Sequence, residues 1–272
     1  MGKTETLRLF AEEIRVAALR AFQSRGFGHV GGAMSIVEIL AVLYGDVMRI
    51  DPQNPDWPGR DRLVLSKGHA GTALYAALAL RGYFPEAELL TLNRPGTRLP
   101  SHCDRTKTPG VDMTTGSLGQ GISAAIGIAL ANRLDGIDKK TFLIIGDGES
   151  QEGQVWEGAM SAPHFRLSNL IAFTDYNKMQ IDGYTQEIMN IEDITAKWLA
   201  FGWFVQRCNG HDFQAMSIAV DRALKETQRP SMIVLDTIKG KGADFAEGRL
   251  DAHNMTFDYA TARAACEKLN KC

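Results

Sequence analysis

The sequence predicts an α/β fold, a doubly wound and mostly parallel sheet with helices on both faces. Three observations predict it. Short apolar runs of strand length alternate with stretches of helical periodicity along the chain, with no internal repeat or low-complexity tract. The apolar run Leu143-Ile144-Ile145 ends in Gly146-Asp147-Gly148, which puts an aspartate at the carboxyl end of a strand, where a parallel sheet opens its ligand crevice. The 272 residues suit one large domain of this class, so 1–272 is read as a single unit.

The elements follow in order. Residues 4–25 carry Ala11, Ile14, Ala18 and Phe22 at helical spacing and form the first helix. Ser35 is expected to cap a second helix running towards Tyr44, with Gly28 and His29 in the loop between. Asp51-Pro52 and Asn54-Pro55 punctuate a polar connection before the strand Leu63-Val64-Leu65. That strand turns through Ser66-Lys67-Gly68-His69 into an alanine-rich helix. His69 lies near the helix's amino end, where unpaired N–H groups and the dipole favour anions; helix capping is the competing use. Residues 84–112 hold Pro85, Pro95, Pro100 and Pro109 without periodicity, which reads as a short helix and then an ordered loop, disorder being the alternative. Gly116-Ser117-Leu118-Gly119-Gln120-Gly121 opens a small-residue helix through Ala131. Beyond Asp147, residues 152–165 read as a helix, with Glu152 capping or orienting its start. Leu170 to Phe173, Trp203 to Val205 and Ser231 to Thr237 read as strands, and 212–228 as a helix. Lys239-Gly240-Lys241-Gly242 is either a phosphate-binding loop or a flexible connection.

Composition narrows the function. Net charge is -2 and 44% of residues are hydrophobic, without an uninterrupted apolar run of membrane length. No basic excess points to nucleic acid. The mixed charge of residues 1–8 lacks a signal-type core, so a cytoplasmic location is expected. Cys103, Cys208, Cys266 and Cys272 have no zinc-type spacing and are expected as reduced thiols. Cys103 follows His102, but neighbours in sequence seldom present nucleophile and base to each other.

The chemistry concentrates after two strands. Asp147 ends one apolar run, and Asp175-Tyr176-Asn177-Lys178-Met179 ends the next. Neighbouring strands would bring the Asn177 amide oxygen beside the Asp147 carboxylate, with glycines letting backbone approach a phosphate. One carboxylate, one amide, a backbone carbonyl and a diphosphate are hard oxygen donors of the kind magnesium takes.

These residues resemble the thiamine-diphosphate motif, and the wider match is to the amino-terminal part of transketolases. Five ordered segments carry it: Ser24 to Gly32, Leu65 to Ala70, Thr114 to Gly121, the magnesium motif, and Lys239 to Gly242 before His253. The resemblance implies thiamine diphosphate and Mg2+ as cofactors, the ion held by Asp147, Asn177 and Met179. It implies cofactor contacts from His69, Gly116, Ser117, Leu118, Gly148, Glu149 and His253. His29, His69, His102 and His253 match the family's channel histidines, which handle substrate hydroxyls and proton transfers; His164 and His211 do not. Glu157 matches a carboxylate network linking paired active sites.

A full transketolase also carries pyrimidine-binding and carboxyl-terminal domains, and no segment here matches the glutamate that the former supplies. The expectation is the amino-terminal subunit of a two-subunit enzyme, an α2β2 assembly with a carboxyl-terminal subunit, inactive alone. It would transfer a two-carbon ketol unit from a ketose phosphate to an aldose phosphate. Phe27 and Val30 replace a small residue and proline common in the family, and Asn254 stands where glycine is usual. These departures lie where substrate enters, so a branched donor such as apulose 4-phosphate stands beside xylulose 5-phosphate. A subunit of another thiamine-diphosphate carboligase or decarboxylase, and a non-catalytic cofactor-binding module, are the alternatives.

Overall fold

A computed structural model describes residues 2–269; Cys272, expected as a thiol, lies outside them. The chain begins with α1 (Lys3–Gln23), β1 (Phe27–Gly28), α2 (Val30–Met34) and α3 (Val37–Val42). It continues through β2 (Arg62–Leu65), α4 (Gly71–Leu80), α5 (Gln120–Leu134), β3 (Thr141–Gly146) and α6 (Gly153–His164). Then follow β4 (Leu170–Tyr176), α7 (Thr185–Ile188), α8 (Ile194–Ala200), β5 (Phe204–Asn209) and α9 (Phe213–Lys225). β6 (Ser231–Asp236), β7 (Met255–Thr256) and α10 (Tyr259–Lys268) complete it.

β2, β3, β4, β6 and β5, in that spatial order, form one sheet in which every neighbouring pair is parallel. Successive side chains leave a strand on opposite faces. Leu65, Phe142, Ile144, Ile171 and Phe173 therefore join the core shared with α1, α3, α4 and α9. Val64, Leu143, Ile145, Leu170 and Ala172 join the other, with α5, α6 and α8. Both faces being covered is why these strands read as unbroken apolar runs. Asp212 caps α9 by accepting hydrogen bonds from the Gln214 and Ala215 amides.

Several local expectations change. Ser35 caps no second helix: it follows α2, and its hydroxyl donates to Asp175 Oδ2 at 2.7 Å. Gly28 is not loop but half of a two-residue strand, β1, paired antiparallel with β7. Glu152 stands at the start of α6 without a side-chain cap bond. The proline-rich stretch is ordered, since Leu89, Leu92, Leu99 and Val111 are buried in the core and Arg60 and Arg62 both bond Asp112. The 239–242 loop is likewise fixed: Gly240 and Gly242 have φ of +79° and +81°, and Arg15 Nε donates to Lys241 O at 3.0 Å. No helix among the described residues is long and apolar enough to cross a membrane.

Candidate active site

Four parallel strands end at one cleft of about 220 Å³. β2 delivers Lys67 and His69, β3 Asp147, Gly148 and Glu149, β4 Asn177 and Met179, and β6 Lys239; Leu118 and His253 close it. Registration does the positioning. Gly146 pairs with Asp175, and the next residue, Asp147, donates its amide to Asp175 O at 3.2 Å. The Asp147 carboxylate then accepts from the Gly148 amide at 2.8 Å and from the Lys178 amide. Lys178 makes that turn at φ 66°. Asn177 Nδ2 donates to Asp175 Oδ2 at 3.0 Å, which orients the amide because a carboxylate only accepts. Its Oδ1 accepts from the Met179 amide at 3.0 Å and keeps a second lone pair.

The charges here are deeply buried and unequally matched. Asp175, wholly buried, pairs with Lys67 at 2.5 Å and accepts from Ser35 and Thr237. Burial pushes its carboxyl up, but Lys67 and these hydroxyls outweigh that and hold it below its ordinary value. Asp147, 1% exposed, forms no direct ion pair among the described residues, and Lys67 offsets only part of its burial. Burial and the charge of Asp175 push it up to about 7. Lys239, 2% exposed, is pushed down to about 8 by burial and by Lys67. A buried carboxylate pushed up and a buried ammonium pushed down thus share one cleft, groups of the kind that could hold a divalent cation and a phosphate. Among the described residues no three His, Cys, Asp or Glu side chains group as a metal cage.

Packing enforces the glycines. A Cβ on Gly148 would meet Gln180 Cβ at 2.7 Å, and one on Gly32 would meet His69 Nε2 at 2.9 Å. Glu149 lines the cleft, but its carboxylate is committed internally, accepting from Ser66, from the Gly119 amide at 2.9 Å and from the Gly146 amide at 3.0 Å. It ties the ends of β2 and β3 to the turn before α5. That turn places Gly116 and Ser117 with His102 around an open concavity.

The four histidines come together from four separate segments. His29 lies 5.5, 5.3 and 5.5 Å, ring to ring, from His69, His102 and His253, and His69 lies 4.8 Å from His253. Tyr75 fixes the His102 segment by donating to its carbonyl at 3.1 Å. Burial pushes His29 down to about 4, with help from His102, and His253 down to about 3, with help from Lys239. His69 and His102 are lowered too, first by burial. All four are neutral imidazoles near pH 7, each with one donor and one acceptor nitrogen.

Residues 7–270 match the family described as transketolase, thiamine diphosphate binding domain. The chain belongs to the transketolase family. It is 59% identical over 261 residues, 96% of this chain and 95% of the relative, to the 6-deoxy-6-sulfo-D-fructose transketolase subunit SqwG of Clostridium sp. (strain MSTE9). It is 37% identical to one of the subunits of the apulose-4-phosphate transketolase of Phocaeicola vulgatus, covering 93% of this chain and 89% of that one. The crystal structure of transketolase from Campylobacter jejuni superposes with a TM-score of 0.92 at 32% identity, over 99% of this chain. This chain spans 43% of that transketolase.

Within this transketolase-family fold the strand ends gather Asp147, Gly148, Glu149, Asn177, Met179, His69, His253 and Leu118 in the cleft. His29 and His102 stand beside it. Glu157 does not join them; it is exposed on α6. His164 contacts Phe165, and His211 accepts from the Ile238 amide at 2.9 Å, both apart from the histidine cluster. The Cys103 thiol is buried and pushed up to about 12 by burial, which removes it as a nucleophile. Sequence reasoning quoted Lys67 and Asp175 within their motifs without giving either a role, and named Lys239 only as part of a possible phosphate-binding loop. The signal for Lys67 and Asp175 existed: each is a charge at or just after an apolar strand, where burial forces a partner.

Proposed function

We propose that this chain is the cofactor-binding subunit of a cytoplasmic two-subunit transketolase that uses thiamine diphosphate and magnesium. It moves a two-carbon ketol unit from a ketose with an anionic terminus to an aldose phosphate. The observation that carries the reading is the cluster of four neutral imidazoles beside a cleft that holds a buried carboxylate, Asp147, and a buried ammonium, Lys239.

Asp147, the Asn177 amide oxygen and the Met179 carbonyl hold the ion. Lys239, His69 and His253 hold the diphosphate with Gly148 lining the cleft beside them, while the Gly116, Ser117 and Leu118 backbone meets the pyrimidine end. Bound thiamine diphosphate supplies an electron sink that lets the carbon–carbon bond beside a ketose carbonyl break. His29 and His102 hold the donor's carbonyl and hydroxyl oxygens, and their neutral rings take or return a proton at those oxygens without prior loss of one to solvent. Glu157, exposed on α6, meets a carboxylate of a neighbouring copy and couples paired sites in an α2β2 assembly.

Three findings support the two-chain arrangement: relatives of the same length are themselves named subunits, this chain spans 95% of one of them, and it spans 43% of a transketolase of known structure. The test is two-carbon transfer in a mixture of this chain, its complementary subunit, magnesium and thiamine diphosphate. Donors are 6-deoxy-6-sulfo-D-fructose, xylulose 5-phosphate and apulose 4-phosphate. Transfer in the mixture and with neither protein by itself is expected. An assembled, cofactor-loaded complex inactive on all three would overturn the reading.

A further inference from the structure

A second, smaller recess of about 50 Å³ lies against the histidines, walled by Arg25, Phe27, His29, Asn93, Ser101 and Asn254 among others. Its composition follows the cluster. His29 is shared, Ser101 immediately precedes His102, and Asn254 immediately follows His253. The recess thus borders the imidazole cluster at His29, within reach of the far end of a donor held there. The pairing of Phe27 with Thr256 and Gly28 with Met255 fixes one wall. Gly26, at φ +73°, turns the chain between α1 and that ribbon, which carries Arg25 to the recess.

Arg25 is unusual in its surroundings. Its Nε is buried with no hydrogen-bond partner, a state that folded proteins seldom leave unanswered. Its guanidinium carbon stands 5.1 Å from the centre of the Phe27 ring, a stack that holds the planar fork in place. No acidic side chain is among the described residues of the wall. Arg94, exposed beside it, donates to Ser24 O at 3.4 Å and adds positive charge at the rim.

We propose that this recess receives the terminal oxyanion of the ketose donor, a phosphate or a sulfonate, and that Arg25 is the residue of this chain that reads it. The inference rests on the two-carbon-transfer reading and deepens it. Guanidinium is the side chain whose fixed fork matches a tetrahedral oxyanion. The recess, about 50 Å³, is room for a few waters at about 10–15 Å³ each on the same measure, which suits a head group. Asn93, Ser101 and Asn254 offer neutral donors to the remaining oxygens.

The experiment compares wild type, Arg25→Met and Arg25→Lys in the assembled complex. KM and kcat are measured for 6-deoxy-6-sulfo-D-fructose, xylulose 5-phosphate and uncharged D-xylulose. Arg25→Met is expected to raise KM for the charged donors about 10- to 100-fold, the worth of a charge-assisted hydrogen bond, with kcat and the D-xylulose parameters unchanged. Arg25→Lys restores part of the loss. The charged donor that suffers more identifies the head group as sulfonate or phosphate. Equal effects on charged and uncharged donors, or none, would overturn the proposal. If wild type transfers nothing, calorimetric binding of the same two charged sugars decides separately: binding weakened by Arg25→Met sustains the anion site although the reaction is wrong, and unchanged binding removes it. Should Arg25→Met not fold, Asn254→Leu, which fills the recess, carries the same readouts.

Discussion

Replacing Lys67 by methionine tests how the cleft holds its charges. Lys67 and Asp175 are 3% and 0% exposed at the side chain and 2.5 Å apart. Methionine keeps the volume of the stem but leaves the Asp175 carboxylate buried without a cation. It also stands near Asp147, whose own carboxyl Asp175 already pushes up. Removing one partner of a buried pair costs about 3–5 kcal/mol, because the remaining charge keeps its desolvation penalty. Ser35, Thr237 and Asn177 still donate to Asp175, which places the expected loss near about 3 kcal/mol, the lower end of that range. A domain stable by about 5–15 kcal/mol survives this. The assay is urea unfolding of wild type, Lys67→Met, Asp175→Asn and the double variant. The double variant is expected to recover at least half of the Lys67→Met loss, since no net charge is then buried. A Lys67→Met loss under about 1 kcal/mol, the value of an exposed pair, would refute the argument, as would a double variant no more stable than the single.

Other predictions follow from the same geometry. Asp147→Ala should weaken magnesium-dependent thiamine diphosphate binding by more than about 100-fold, since even outer partners of metal ligands are worth about 10–100-fold; circular dichroism should stay native, and unimpaired titration would dismiss Asp147 as a ligand. His29→Ala should lower kcat/KM by about 10²–10⁴-fold, the range of positioned acid–base groups, with smaller change in cofactor affinity; unchanged turnover would remove His29 from the reaction. For pH, His29 lies at about 4 folded against about 6.5 unfolded, so unfolding takes up protons below pH about 6.5. Its contribution to stability is full above that pH and is lost as pH falls through about 4. The His29 imidazole resonances should stay constant from about pH 8 to 5.5, and His29→Asn should flatten the acid side of a melting profile; a ring titrating near 6.5 would refute its burial.

Much of this molecule is legible without coordinates. Apolar runs marked β2, β3, β4 and β6, because strands covered on both faces are continuously apolar and these runs are too short for buried helices. Asp147 and Asn177 were readable for the same reason: a polar residue directly after a buried strand has one place to be, the carboxyl edge of the sheet. Local chemistry failed at Ser35, whose hydroxyl looks like a cap in one dimension and serves Asp175, 140 residues away, in three. It failed too at Gly240 and Gly242, which look flexible until Arg15 and the Ala246 backbone pack against them. Grouping His29, His69, His102 and His253 required the family resemblance, since nothing local says that four dispersed segments meet. Only the tertiary structure decided that their rings stand 4.8 to 6.4 Å apart and neutral, that Lys67 pairs with Asp175, and that Asp147 and Lys239 are buried in one cleft without a direct ion pair among the described residues. Desolvation and pairing depend on which surfaces the fold closes together, and those surfaces come from residues distant in the chain.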